Sequence, residues 1–448
     1  MASREQFSSR IGFVMAAAGS AIGLGNIWSF PTLTANNGGA AFVVVYLGLA
    51  FCLAYPALMA ELIIGRHARA NAVTALRYIS SGRSSYWLGS LVGFYGVLVA
   101  SLILSFYAIV AGWMLAYMLQ PLADILGMEA AGDWLTTQSV SRDGVFLTVF
   151  MGLTMAIVAR GVSSGIERWS VRLMPVLVLI LLALIIYVMT REGAVQGLKV
   201  YLLPELSRIN PTLIVNAMGQ AFFSLSLGVG TMLIYGSYLS EKENLPKLGA
   251  IVTLFDVSVA FLAGLLIVPA IYVAQQYGAN IFDKEGVLPG GPDLIFRVLP
   301  VLFDSMGGVG MIVAFAFFVL MTIASLTSSI SMLEVPVALV TELSTVNRRR
   351  ATLWTGAAIF AVSIVIVLFF GKLFGAVVTF TTVYSQPLLG IMFCLFVGWI
   401  WHRDNLLQEL KRGHPEMEGT WFWRIWPFYV KFFCPVLILG AFIQSIVG

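Results

Sequence analysis

Charge is scarce in this chain: Asp, Glu, Lys and Arg make up 11% of its 448 residues, where a soluble globular chain carries about 25%. So thin a supply cannot coat a body of this size in water. It suffices for the ends of helices whose sides meet lipid. Hydrophobic residues at 59% and a mean hydropathy of +0.91 agree. Cysteine is nearly absent. Cys52, Cys394 and Cys434 lie in apolar runs, and no CxxC or Cys/His spacing suits a metal. The three histidines, His67, His402 and His414, fall in polar loops or at helix ends, with no pair at ligand spacing. The net charge of +4 is small and its basic residues sit in short loops rather than in a stripe, so no nucleic-acid partner is expected. Paired catalytic carboxylates, a His/Cys constellation and a nucleotide loop are missing as well, and no enzyme is expected. Nor is a cleavable leader expected, because Arg10 precedes an apolar run with Gly, Asn and Pro and no small-residue cleavage site.

What the chain has instead is long apolar segments. Eleven are long enough to span a membrane, near 11–36, 40–64, 87–119, 144–159, 173–190, 211–239, 246–275, 307–341, 352–370, 373–401 and 425–447. With the N-terminus placed inside, eighteen Lys and Arg fall on the cytoplasmic side and seven outside, with Lys431 near the last helix left uncounted. That bias fixes the N-terminus as cytoplasmic, and an odd number of spans puts the C-terminus outside. The lipid bilayer is thus the first partner, and the cell (inner) membrane the expected location.

Two spans are chemically odd. The first contains Gly19-Ser-Ala-Ile-Gly-Leu-Gly-Asn26 followed by Pro31, and the sixth contains Ser224-Leu-Ser-Leu-Gly-Val-Gly230. Each glycine in a helix interior costs about 1 kcal/mol against alanine. A break frees backbone N–H and C=O groups that hydrocarbon cannot satisfy. Close packing of helices through small residues is one reading of either run. Their pairing five spans apart points instead to two five-helix repeats with matching breaks: spans one to five over 11–190, spans six to ten over 211–401, and an eleventh span at 425–447, all in one domain over 1–448.

Acids inside spans are the second clue. Glu61, Asp256 and Glu334 each interrupt an apolar run, at a cost of several kcal/mol unless paired or hydrated. Glu61 and Glu334 suit bonds to broken-helix backbone, although Glu61 also stands near enough to Arg66 for a helix-end ion pair. Asp256, deep in the seventh span, has a cation as its natural partner. In the eighth span Leu326-Thr-Ser-Ser-Ile-Ser331 offers hydroxyls that either bond back to the preceding turn or supply hard oxygens, above all from Thr327 and Ser328, to a sodium ion.

With these residues the sequence resembles the neurotransmitter:sodium symporter family on its bacterial amino-acid branch. The resemblance runs through nearly the whole chain and rests on Gly19–Pro31, on Gly219-Gln-Ala-Phe-Phe-Ser-Leu-Ser-Leu-Gly-Val-Gly230 and on Ala324-Ser-Leu-Thr-Ser-Ser329. It implies an all-α polytopic membrane protein with a 5+5 inverted-repeat core, discontinuous first and sixth spans, and two sodium sites. The first site would use Ala21, Asn26, Ser224, Asp256 and the substrate carboxylate. The second would use Gly19, Ile22, Ala324, Thr327 and Ser328. For the substrate the resemblance implies Gly23, Leu24, Gly25 and Tyr107 around the carboxylate, and Ala21, Phe223, Ser224 and Ser226 around the ammonium. Ser20, Ile103, Val229, Ser328 and Met332 would line the side-chain pocket, with Phe223 as its lid.

Departures from the family are informative. The outer Arg–Asp bridge is lost at both ends: Ser29 stands at the Arg position, and Val378 or Thr379 at the Asp position. Outer closure is therefore expected from Phe223 packing and hydroxyl contacts. The inner ion pair is matched by Arg4 and Glu342, with Tyr238 beside them, and Phe7 replaces the usual tryptophan. Tyr46, Gln220 and Ser224 match the surroundings of chloride. The acid of chloride-independent relatives is Ala260 here, but Asp256 lies one turn earlier, so transport without chloride is expected.

The sequence thus reads as a sodium-coupled symporter working by alternating access. Gly23 leaves room for a substrate carboxylate, and Leu24 disfavours a γ-amino acid. The lining leans toward an apolar or aromatic α-amino acid. The alternatives are another small zwitterion and a non-transporting amino-acid sensor.

Overall fold

The computed structural model describes residues 5–276, 288 and 294–447. Among them there is no β-strand, and nine helices are long and apolar enough to cross a membrane. We number the membrane helices α1 (Arg10–Ala21), α2 (Gly25–Asn36), α3 (Ala40–Ala68), α4 (Arg83–Ile125), α5 (Val140–Val158), α6 (Val162–Met189), α7 (Pro211–Ser224), α8 (Thr231–Ser237), α9 (Leu245–Gln276), α10 (Gly308–Leu343), α11 (Arg348–Leu368), α12 (Phe370–Ile400) and α13 (Trp421–Ile446). The pair α1–α2 is one span bent by 57°. The pair α7–α8 is another, split by Leu225–Gly230 into halves too short to cross alone. Counting each pair once yields the eleven spans expected.

Boundaries moved where charge misled the hydropathy reading. The fifth span, expected from residue 173, begins at Val162. Its first turns carry Glu167, Arg168 and Arg172, which hydropathy rejects. Glu167 is buried because it accepts hydrogen bonds from the Ser8 N–H (2.7 Å), the Ser8 hydroxyl (2.7 Å) and the Ser9 hydroxyl (2.9 Å). A carboxylate so supplied with donors can sit inside a helical bundle.

Both breaks are real and face each other. Ile22 leaves helical geometry at φ −74°, ψ 104°. In the second break Ser226, Gly228 and Gly230 all have left-handed φ, between 52° and 80°. The Ser226 hydroxyl donates across the gap to the Ser20 carbonyl at 3.1 Å. Glu61, fully buried on α3, accepts from the Gly228 N–H at 2.7 Å and so satisfies a donor that the break released. A side chain at Gly228 would meet the Gln386 carbonyl oxygen of α12 at 2.1 Å, which is why a glycine stands there.

The acids therefore sort differently from one another. Glu61 caps the broken helix, and the ion pair with Arg66 is not formed. Arg66 instead donates from Nε to Glu409 Oε1 (2.6 Å) and from Nη1 to the Glu243 carbonyl (2.6 Å). Glu334 bonds no broken backbone. It accepts from the Tyr238 hydroxyl (2.5 Å) and pairs with Arg348 (2.5 Å). Around the breaks, α4 and α10 pack along one another, and α8 lies against α3. The broken spans are thus held between continuous helices that leave a space beside the two gaps.

Candidate functional site

That space is a cavity of about 880 Å³. It reaches from both breaks to Thr212 in the first turn of α7 and to Ser445 near the end of α13. It therefore extends toward the membrane face where α7 begins. Of the substrate residues expected from sequence, Ala21, Gly23, Leu24, Gly25, Ile103, Tyr107, Phe223, Ser224, Ser226, Val229, Ser328 and Met332 all line it. Ser20 does not, because its hydroxyl is turned to Ser331 Oγ at 2.7 Å.

At the first break the Leu24 N–H donates to the Tyr107 hydroxyl at 3.3 Å. A Cβ on Gly23 would come within 2.8 Å of both Tyr107 Oη and Ser328 Oγ, and one on Gly25 within 2.8 Å of the Phe223 ring. Glycine at both places leaves the backbone bare beside a phenol and an aromatic edge, with the Gly23 N–H donating to Asn26 Oδ1 at 3.2 Å. Backbone N–H and phenol O–H donors at this point suit an anion.

Next to this point lies a buried polar knot. Asn26 Nδ2 donates to Asp256 Oδ1 (2.7 Å) and Ser224 Oγ (2.9 Å), and the Ser224 hydroxyl donates to Asp256 Oδ2 (2.8 Å). Asp256 and Asn26 are fully buried. The Tyr46 hydroxyl reaches Ser224 Oγ at 3.3 Å. Of the three chloride-site equivalents, Tyr46 and Asp256 thus meet on Ser224. Gln220 turns away: its Nε2 donates to the Gly25 carbonyl (2.9 Å) and its Oε1 accepts from Ser29 (2.8 Å). Ser29, at the vacated arginine position, therefore joins α2 to α7 by a hydroxyl contact, while Val378 lines the cavity opposite.

A second set of oxygens gathers between α1 and α10. The Ser328 hydroxyl lies 3.3 Å from the Gly19 carbonyl and 3.2 Å from that of Ile22. The Thr327 hydroxyl lies 3.1 Å from the Ala324 carbonyl, and the Thr327 side chain packs against Gly19. The Ser328 hydroxyl and two α1 carbonyls thus meet, with the Thr327 hydroxyl and the Ala324 carbonyl on the adjoining turn of α10, neutral oxygens of the kind that suit a hard cation.

On the opposite face the cavity is closed. The ring of Phe7 packs edge-on against Phe13, Tyr235 and Tyr238 at centroid distances of 5.5–6.2 Å. Of the inner-gate trio, Arg4 lies outside the described residues. Tyr238 donates to Glu334, and Glu342 accepts from the Asn71 N–H (2.8 Å) and Nδ2 (2.7 Å). Sequence reasoning gave no role to Asn71 or to the cavity residues Trp28, Phe106, Asn216 and Gln386, and left Ser331 as one hydroxyl of the α10 run. Trp28 and Ser331 stand inside the quoted motifs, and Gln386, a polar residue within an apolar span, carried a readable signal.

The sequence model of the sodium:neurotransmitter symporter family matches residues 4–145 and 141–448. An uncharacterised sodium-dependent transporter of Bacillus subtilis, YhdH, is 36% identical over 98% of this chain and 97% of its own length. Another from Haemophilus influenzae is 30% identical over 99% and 98%. Among solved structures, that of MhsT in complex with L-phenylalanine superimposes with a TM-score of 0.83 at 36% identity, covering 99% of this chain and all of that one. Its agreement with the broken-helix core bears out the inverted-repeat fold. This multi-pass membrane protein therefore belongs to the sodium:neurotransmitter symporter family, as a sodium-dependent transporter.

Proposed function

We propose that the protein is a symporter that carries an apolar or aromatic α-amino acid inward with sodium, without a requirement for chloride. The observation that carries this reading is a cavity lined by the Gly23–Gly25 backbone and Tyr107, with the buried knot of Asn26 and Asp256 directly behind Ser224 of its lining. The carboxylate of an amino acid suits the first and a sodium ion the second. The substrate carboxylate would meet Tyr107 and the Gly23–Gly25 backbone, and its ammonium the carbonyls of Ala21, Phe223 and Ser224. Ile103, Val229 and Met332 leave an apolar recess for the side chain. The binding of L-phenylalanine by a relative of the same fold supports an amino acid of this kind.

Two sodium ions fit the donors available. One sits with Asn26, Ser224, Asp256, the Ala21 carbonyl and the substrate carboxylate. The Asn26 amide presents its oxygen there on a half-turn, which exchanges two groups of equal size. The other sits among Gly19, Ile22, Ala324, Thr327 and Ser328, tying α1 to α10. The fixed charge of Asp256 takes the place of chloride.

In alternating access, ligands enter from the α7 end, which the basic-residue bias assigns to the outside. Phe223 then folds over them. The plug of Phe7, Tyr235 and Tyr238 opens as the second sodium leaves and α1 loosens. The membrane potential supplies about 2.3 kcal/mol per charge per 100 mV. An amino-acid panel tested for sodium-dependent binding to purified protein, followed by uptake in proteoliposomes, tests the proposal. Saturable uptake of an aromatic or aliphatic amino acid with sodium is expected. Binding with no uptake would make the protein a sensor, and binding indifferent to sodium would end the reading.

A further inference from the structure

A second cavity, of about 560 Å³, lies at the opposite end from the substrate cavity's mouth, where α5 ends and α6 and α11 begin. Four arginines line it: Arg160 after α5, Arg168 on the first turns of α6, and Arg348 and Arg349 at the start of α11. Arg348 is held as a fixed wall, with Nη2 on Glu334 (2.5 Å) and Nε on the Val158 carbonyl (2.9 Å). Arg160, Arg168 and Arg349 are exposed and form no ion pair with any described carboxylate. So dense a set of unpaired guanidinium groups repels itself unless an anion is shared among them.

One oxyanion already stands there. The side chain of Glu5 lines the cavity, accepts a hydrogen bond from the Val162 N–H at 2.5 Å and lies against Gly161, where a Cβ would come within 2.9 Å of its oxygen. Gly161 has φ +100°, which turns the backbone N–H of the next residue outward to receive that oxygen. The cavity thus holds one tethered carboxylate on a backbone donor, beside three exposed guanidinium groups that form no ion pair with it or with any other described carboxylate. All of its walls belong to helix ends at the polar edge of the membrane.

We propose that this cavity binds the phosphate of an anionic phospholipid headgroup, which competes with the Glu5 carboxylate for the Val162 N–H and the arginines. A phosphate carries more oxygens than a carboxylate and engages several guanidinium groups at once. A lipid reaches the site without leaving the bilayer, and a free phosphate shares its chemistry. Because Glu5 lies two residues before Phe7, displacing it removes one of the ties on the segment that carries the plug, leaving those of Phe7 to Tyr238 and of Ser8 and Ser9 to Glu167.

Native mass spectrometry of the full chain from nanodiscs of phosphatidylcholine with one-fifth phosphatidylglycerol reads the retained anionic lipid. Joint substitution Arg160→Gln, Arg168→Gln and Arg349→Gln should weaken retention by about fivefold per arginine. A control triple at other membrane-edge arginines, Arg77→Gln, Arg83→Gln and Arg403→Gln, should leave it unchanged. Glu5→Gln should strengthen it severalfold, a gain that loss of fold cannot mimic. Equal retention in both triples, or no gain with Glu5→Gln, overturns the proposal. Displacement of the lipid by millimolar inorganic phosphate would overturn the lipid as the source.

Discussion

In the proposed mechanism Asp256 is the residue on which the ion chemistry turns. It is fully buried, and its two oxygens accept from Asn26 and Ser224. A carboxylate in such a place is costly unless a cation joins it. Asp256→Asn keeps the shape and removes the charge. Substrate binding in sodium gluconate should then fall at least tenfold, and chloride should restore part of it. The unaltered protein should bind equally well in both salts, and a chloride requirement there would sink the idea. Gly23 is decided by space alone. A methyl group there meets Tyr107 Oη and Ser328 Oγ at 2.8 Å. Gly23→Ala should therefore weaken substrate binding and, because the clash is with the protein's own side chains, lower stability by about 1–3 kcal/mol, the usual cost of an overpacked site. Isothermal titration beside a melting curve separates the two effects.

At the scale of elements, the second break depends on two contacts that fix it in place. Gly228 sits at φ +77° against the Gln386 carbonyl, and its N–H is held by Glu61. Gly228→Ala brings left-handed strain of about 1–2 kcal/mol, and the contact with the backbone of α12 adds to it. A lower melting temperature and lost uptake should go together, since the break and the fold share this residue.

The helix Arg403–Gly413, outside the membrane, is fastened to the end of α3 by Glu409, which Arg66 and His67 both contact. Burial pushes the Glu409 carboxyl up, but hydrogen bonds and charge from His67 and Arg66 outweigh it and hold the group below the ordinary 4.5. A depressed value in the folded state means that the contact stabilises fully above the unfolded value and is lost as pH falls through the folded one. The melting temperature in detergent should accordingly drop below about pH 4. Glu409→Gln should abolish that acid limb and cost about 3–5 kcal/mol at neutral pH, because Arg66 is left buried without its partner. A melting curve unchanged between pH 5 and pH 3 would remove the fastening role.

For the whole molecule, orientation is a matter of summed charge. The proposed orientation, N-terminus inside and C-terminus outside, follows from eighteen Lys and Arg on one side against seven on the other across eleven spans. An alkaline phosphatase fused after Gly448 should be active in intact cells, and a fluorescent protein fused there should be dark. The reverse result would invert the direction assigned to the cavity, whose mouth lies at the α7 end. In the proposed mechanism the closed plug at Phe7 and the wide cavity opposite correspond to one end-state of alternating access. Of the ion pair expected between Arg4 and Glu342, Arg4 lies outside the described residues, and Glu342 accepts from Asn71.

The amino-acid sequence by itself determined the membrane class, the count of spans, the two glycine-rich breaks and the hydroxyl pair on α10. Each of these is a local property: a run of apolar side chains, a cluster of residues without Cβ, a polar group that lipid will not tolerate. Tertiary structure alone decided which partners those groups found. Glu61 turned to Gly228 rather than to Arg66, Glu334 to Tyr238 and Arg348, Gln220 to Ser29, and Ser20 to Ser331. A buried polar group takes the donor or acceptor that packing brings within about 3 Å. That distance is set by helices far apart in the chain, and no local pattern of residues contains it.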